Sequence, residues 1–512
     1  MERLEKGSIR TVIRRVVPAG LLLAGSMAAI ALAASPPVPI PSSGTPPART
    51  FIGRPAVAHP IRGVPQTPQN RFMAPNGTSE IHDDAWQTDT SRWAGPMGHA
   101  PQTISNYVRG DCGSTTFDSQ GRVVSVCVGV PGPQLYMFDP NTLATLATFK
   151  LPPRQSVPQN IFQDFTGGGY FYLNNHDQVV VSTTTKHIFV IAETAGPGFR
   201  QIHDYDLSKI ITSQEKITSA LPDSNGLLWV VTKTDGKVLT LNLRTGRVHH
   251  VQLGHGSNGE IENSIATDQH GGVYIATTHK LYRFGEGPGG APKVVWAVTY
   301  PNSGQSKPGQ VDAGTGTTPT VMPGGYVNIT DNADPMDIVV YRTAPHPYRR
   351  SKPGHRVPLP RQVCRVPVFS KGSSADENSI ISAGDTMIAE DNYGYEGPQS
   401  LTPGTVTTPG FVRVDLNRNG LGCHRVWLNT GLSAPTVVSK VALANGLLYT
   451  YTTDTNDNWF WTALSFRTGK LVYKAYSGTG FNYNNNYAGI SISRSGREYL
   501  GTLGGIISLR DR

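Results

Sequence analysis

One pattern recurs along most of this chain, and it leaves few folds open. A small or polar start leads into an apolar strand, a Gly, Asn or Asp turn follows, and a second strand rich in Val, Ile and Tyr ends in Thr, Asp or Asn. The segments are Cys112-GSTTFDSQGRVVSVCVG, Gly169-YFYLNNHDQVVVSTTT, Ile217-TSALPDSNGLLWVVTKT, Glu262-NSIATDQHGGVYIATTH, Thr317-TPTVMPGGYVNITDN, Glu377-NSIISAGDTMIAEDN, Val438-SKVALANGLLYTYTTD and Asn485-NYAGISISRSGREYLGTL. They start about 45 to 60 residues apart, the spacing of solenoids and propellers.

A second hairpin often follows, as in Leu135-YMFDPNTLATLATF, Val238-LTLNLRTGRVHHV, Phe411-VRVDLNRNGLGCHRVW and Leu464-SFRTGKLVYKAY. Two hairpins per repeat make a four-stranded blade, and blades around an axis make a propeller. The expected fold is an all-β propeller of eight four-stranded blades. Its last repeat supplies only a third strand, Ile506-ISLRDR, before Arg512. A bare outer edge is an aggregation hazard. The expected donor of the missing strand is the N-terminal region, around Thr103-Ile104-Ser105-Asn106-Tyr107-Val108.

The chain has 512 residues, 56 of them Gly and 39 Pro, with 16% charged residues. That composition suits a turn-rich fold, and long Glu/Lys-rich helical patterns are absent. Three segments are expected: a signal peptide (or membrane anchor) over 1–33, a Pro-rich disordered spacer over 34–75, and the propeller over 76–512. Arg10, Arg14 and Arg15 form a positive n-region, and Val16 to Ala33 is an apolar run ending in Ala31-Leu32-Ala33, an A-x-A cleavage pattern. No Cys follows it to carry a lipid. Formal net charge is +9, falling to about +6 once such a signal is removed. Mild basicity in an exported chain does not call for nucleic acid, and the expectation is a secreted, periplasmic or envelope-associated monomer.

Four Cys in an exported chain suggest two disulfides, for which three pairings exist. A turn near Gln120 sets Cys112 opposite Cys127. Cys364 and Cys423 occupy matching outer-strand positions of neighbouring repeats, so the expected bridges are Cys112–Cys127 and Cys364–Cys423.

The strand–turn–Thr-Gly–strand hairpins, such as Leu241-NLRTGRV and Leu464-SFRTGKL, resemble the repeats of quinoprotein-type (PQQ-like repeat) eight-bladed propellers. Segments such as Ile329-TDNADPMDIVVY and Phe481-NYNNNYAG resemble a family of uncharacterised exported bacterial propellers. The resemblance implies fold and compartment and brings no activity. The seven Trp, at 86, 93, 229, 296, 427, 459 and 461, are scattered, and no two Cys are adjacent. The quinoprotein enzymes have a regularly placed Trp and an adjacent-Cys disulfide.

Common catalytic signatures (G-x-S-x-G, H-E-x-x-H, C-x-x-C, the P-loop) are missing. Gly285-EGPGG matches G-x-G-x-x-G by letters, but Pro292 and a strand follow where a helix is needed. Asp454-TNDN lacks the Gly and the Glu of an EF-hand, with Trp459 and Ser465 in their places. His249, His250 and His255 cluster by sequence, but His249 and His250 point to opposite faces of a strand, so no metal site is expected there. Residues 341–365 carry Arg342, Arg349, Arg350, Lys352, Arg356, Arg361 and Arg365 with no acid. They read as a solvated insertion, with a polyanion as its candidate partner.

One constellation gathers from several repeats. In a propeller, the start of each innermost strand and the end of the next lie on one face. Glu262, Asn263, Asp331, Asn332, Asp334, Glu377, Asn378, Asp391 and Asn392 would then approach one mouth, joined by Glu260, Glu390 and Asn484 to Asn486. Hard oxygen donors suit calcium, in the manner of lactonase-like propellers. Turn chemistry alone would also place Asn and Asp there. Three functions compete: an exported binding or scaffold protein, a calcium-dependent hydrolase of small esters or lactones, and a quinone-dependent oxidoreductase.

Overall fold

The computed structural model describes residues 34–154, 162, 164, 166–212, 214–254, 259–352 and 355–512. The 1–33 leader and His255 lie outside the described residues. The eight repeats form eight antiparallel blades around one axis. Blade 1 runs from the axis outward as Gly110–Phe117, Val123–Gly129, Gly132–Phe138 and Thr145–Lys150. The innermost strands of blades 2 to 8 are Phe171–Leu173, Ile217–Pro222, Ala266–Thr267, Thr320–Met322, Ile381–Ala383, Lys440–Ala442 and Ser491–Ile492.

A repeated turn explains why the first hairpins of blades 1 to 4 form. Asp118 Oδ1 accepts from the Gln120 and Arg122 amides, Asp223 Oδ1 from Asn225 and Leu227, and Asp268 Oδ1 from His270 and Gly272. Asn174 does the same in blade 2. An acceptor reaching two residues along its own backbone is the Asx turn that Asp and Asn make. The turn needs one residue in the left-handed region, supplied by Gly121, Gly226 and Gly271 at φ 78°, 90° and 74°. The second Asp oxygen holds the following strand, through Trp229 Nε1 at 2.8 Å and the Tyr274 hydroxyl at 2.6 Å. The strands then bury Val, Ile, Leu and aromatic side chains between adjacent blades.

The ring closes as the last repeat requires. Gln102–Tyr107 pairs antiparallel with Gly505–Arg510 and becomes the fourth strand of blade 8. The C-terminal Asp511 carboxylate accepts from the amides of Met97, Gly98 and His99. Both expected disulfides are present. Cys112 and Cys127 face each other across the first hairpin of blade 1, Cα atoms 3.9 Å apart. Cys364 and Cys423 join the outer strands of blades 5 and 6 across 5.7 Å.

The expected spacer needs correction. Within residues 34–75, Phe51–Gly53 adds a further strand outside Leu471–Thr479 of blade 7, and Ile40, Ala56, Met73 and Ala74 are buried. The Ser35 amide pairs with the Thr145 carbonyl, His59 with Asn445, and Ile61 with Leu443. Proline removes donors, yet the residues between prolines keep theirs. They find partners on the propeller edge without any apolar periodicity in the sequence.

The basic insertion forms a protruding hairpin, Tyr348–Lys352 with His355–Pro358. Arg342 and Arg361 donate to backbone carbonyls, and Arg365 pairs with Asp337. Arg349, Arg350, Lys352 and Arg356 remain exposed. Gly285-EGPGG is the turn of a hairpin. Asp454 caps its own loop through the Asn456 and Asn458 amides. No helix among the described residues is long and apolar enough to cross a membrane.

Candidate functional site

A polar segment fills the propeller axis. Residues 78–89 are buried throughout, although they show neither strand nor helix periodicity. Their order comes from the blades. The Leu173 amide of blade 2 donates to the Ser79 carbonyl, Thr267 of blade 4 to Ala85, Val321 of blade 5 to Trp86, Ser382 of blade 6 to Thr88, and Val441 of blade 7 to Asp89. Thr90–Ser91 then lies parallel beside Lys440–Ala442. Asp83, Gln87 and Asp89 adopt positive φ of 74°, 65° and 54°. Non-glycine residues hold such angles only where surroundings dictate them. The segment enters and leaves on the face of the first-hairpin turns, where Met73 bridges to Asn174 and Arg494 stacks on Trp93. Its tip, Ile81 and His82, reaches toward the opposite face.

There the tip floors a cavity of about 490 Å³. Blade 1 contributes Asp111, Gly113 and Ser114, and the connection beyond it Arg154 and Phe162. Glu262 and Asn263 enter from blade 4, Glu377, Asn378 and Ser379 from blade 6, and Phe481 and Asn486 from blade 8. The lip is apolar: Val130 is fully exposed and Phe481 is 48% exposed, with Phe162 edge-on to Phe481 at 5.9 Å. Among the described residues, four polar atoms inside have no hydrogen-bond partner, namely Asp111 Oδ1, Glu377 Oε2, Asn378 Oδ1 and Arg154 Nε. Such atoms, when buried, are costly unless something satisfies them.

The carboxyls here are held away from ionisation. Burial pushes Asp111 up to about 7 against the Asn486 amide and Arg154. Burial, then Asp312 and Glu262, push Glu377 well above the usual carboxylate range. Burial raises Glu262 against the opposing pull of Lys233, whose Nζ lies 2.6 Å from it. Like charges crowded in low dielectric cannot all be charged together.

Of the nine expected donors, Glu262, Asn263, Glu377 and Asn378 line the cavity. The other five serve the backbone. Asp331 Oδ1 accepts from the Ala333 and Asp337 amides, Asp334 from Gly372, and Asp391 from Ala375 and Tyr393. Asn332 donates to the Ala313 and Gln305 carbonyls, and Asn392 to those of Ala434 and Pro435. Asn263 donates to Thr315, and Asn378 to Glu390. Ends of second strands therefore clamp the loops feeding the innermost strands, and the nine do not converge. Among the described residues no group of three or more His, Cys, Asp or Glu is arranged to hold a metal.

The sequence reading missed the floor. His82 Nδ1 lies 3.1 Å from Asp89 Oδ2, and its Nε2 lies 3.4 Å from Ser379 Oγ. Asp89 Oδ1 receives Lys440 Nζ at 2.5 Å, and His82, Asp89 and Lys440 are all buried. Burial pushes Asp89 up, but Lys440 and His82 outweigh it and hold the carboxyl below its ordinary range. His82 and Ser379 are 297 positions apart. The one available signal was the density of polar residues in Ser79-EIHDDAWQTDTS, ahead of the first repeat and outside its pattern.

No protein-family model matches the chain. A protein of Archaeoglobus fulgidus described as uncharacterized is 26% identical over 272 residues, 49% of this chain and 52% of that protein. The chain thus spans about half the length of this curated relative. Similar solved structures are β-propellers. A streptogramin B lyase shares 10% identity over 82% of this chain and 99% of its own, with a TM-score of 0.40. Sqt1 from Chaetomium thermophilum shares 12% over 76% and 93%, at 0.47. A putative 6-phosphogluconolactonase from Bacteroides uniformis shares 13% over 68% and 93%, at 0.40.

Proposed function

We propose that this propeller is an exported binding protein that takes one small molecule in the axial cavity. The observation that carries the reading is the cavity itself. Its 490 Å³ falls in the range of small-molecule sites, which combine apolar walls with a few placed polar groups. Val130, Phe162 and Phe481 would cover an apolar portion. Asn378 would accept from a hydroxyl or amine of the ligand, and Asp111 and Glu377, when protonated, can both donate and accept. Two disulfides and the sequence leader support a position in the cell envelope or outside the cell.

The test uses Gly113, which lines the cavity and has open space where a side chain would stand. Thermal melts against a panel of small apolar alcohols and amines should reveal ligands that raise the midpoint in the parent and do nothing for Gly113→Leu. A parent indifferent to the whole panel, or a variant that responds equally, removes the reading.

A further inference from the structure

We infer that Ser379, His82 and Asp89 form a nucleophile, base and orienting carboxylate that hydrolyse a small carboxylic ester or lactone held in the axial cavity. The inference rests on the cavity being a ligand site, and adds the reaction. Serine is a weak nucleophile until an adjacent base takes its proton, and that base works when a third group fixes its tautomer. All three requirements meet here. Both Asp89 oxygens lie within 3.2 Å of Nδ1 and can only accept, so Nδ1 carries the proton and Nε2 turns its lone pair to Ser379. Among the described residues, His82 Nε2 is the hydrogen-bond partner of Ser379 Oγ, and Ser379 and His82 both face the cavity. The 3.4 Å separation is long, as such contacts often are before substrate compresses them.

Lys440 holds Asp89 from the other side and also faces Asp83, 3.3 Å away. Asp89 and Lys440 are therefore positioning residues, while Ser379 and His82 touch the reacting atoms. A carboxylate serving only to satisfy Lys440 would not need a histidine between itself and a serine at a cavity wall. The positive φ at Asp89 turns its carboxylate inward to reach both.

In the first half-reaction Ser379 Oγ bonds to the acyl carbon while its proton passes to His82 Nε2. The bond from the acyl carbon to the alkoxy oxygen breaks, and that oxygen leaves with the proton from Nε2. In the second, water adds its oxygen to the acyl carbon and gives a proton to Nε2. The Oγ–carbon bond breaks, Oγ regains the proton, and the carboxylic acid leaves. No oxidant or metal enters the balance.

The full-length mature protein is treated with a small alkyl fluorophosphonate, and the adduct is mapped by peptide mass. One adduct per chain on Ser379 is expected, absent in Ser379→Ala and formed at least 100-fold more slowly in His82→Gln. Asp89→Asn should slow labelling and move the low-pH limb of its profile to lower pH, because the imidazolium formed in the reaction loses its carboxylate partner, which a structural role alone would not do. Folded parent that stays unlabelled, or labels elsewhere, overturns the relay. The parent should show both the adduct and the ligand-induced melting shift. A missing adduct with that shift intact therefore refutes the reaction, and loss of both in the parent refutes the cavity.

Discussion

The blades and the axial segment are built by opposite logics. Each blade is locally specified, by a tight turn with a residue at positive φ, made as an Asx turn in blades 1 to 4, and by apolar strands, and eight near-copies share the work. Residues 78–89 specify almost nothing locally. They borrow backbone partners from five blades and contribute buried Asp, Glu and His in return. Stability lives in the repeated part, while the proposed relay draws on the part that cannot hold its own shape.

The contrast can be broken most severely at the seam. Deleting Gln102–Tyr107 strips blade 8 of its outer strand and should abolish cooperative unfolding and drive aggregation, read by calorimetry and size exclusion. A normal melt would show that the ring does not need closure. Next in size is Lys440→Met. It leaves Asp89 buried without its cation and should cost about 3–5 kcal/mol by urea denaturation. The same change at exposed Lys470 should cost about 0.5 kcal/mol or less.

Raising pH should loosen the axis before the blades. Burial pushes Asp84 up to about 6, Asp83 to about 7 despite Lys440, and Glu390 to about 8. Between about pH 4 and those values the folded chain holds protons that the unfolded chain has lost, so stability falls as pH rises through 6 to 8. Asp89, held low, contributes in the other sense and is lost only in acid. Hydrogen exchange at pH 8.5 should rise first in the amides of residues 81–90. Uniform exchange across the molecule would refute an independently weak axis. Smallest of all, Arg349→Ala and Arg350→Ala on the exposed hairpin should change stability by about 0.5 kcal/mol or less, while loss of heparin binding in both would establish a polyanion surface there.

Blade number, ring closure and both disulfides could be read from the sequence because each depends on spacing or register within or between repeats. Asp118, Gly121 and Cys127 sit at fixed offsets, and offsets survive in a linear text. The burial of Ile40 and the pairing of Phe51–Gly53 with blade 7 could not be read that way, since pairing between distant backbones leaves no period. The mouth was half legible. Glu262 and Glu377 occupy starts of innermost strands and reach the cavity, whereas Asp331 and Asp391 lie one strand out and are consumed by turns. His82 and Ser379 carry no shared motif, and only the folded ring brings them together.

Because the axial segment enters and leaves by one face, it can be set in place without threading the ring. The relay then has a schedule as well as a geometry. His82 must find Ser379 across 297 positions, and Asp89 must find Lys440 across 351. Contacts that distant form late, after the blades that bracket them. A chain still being made would have its blades in progress and no assembled centre, so the proposed relay would form only once blades 6 and 7 have joined the axial segment.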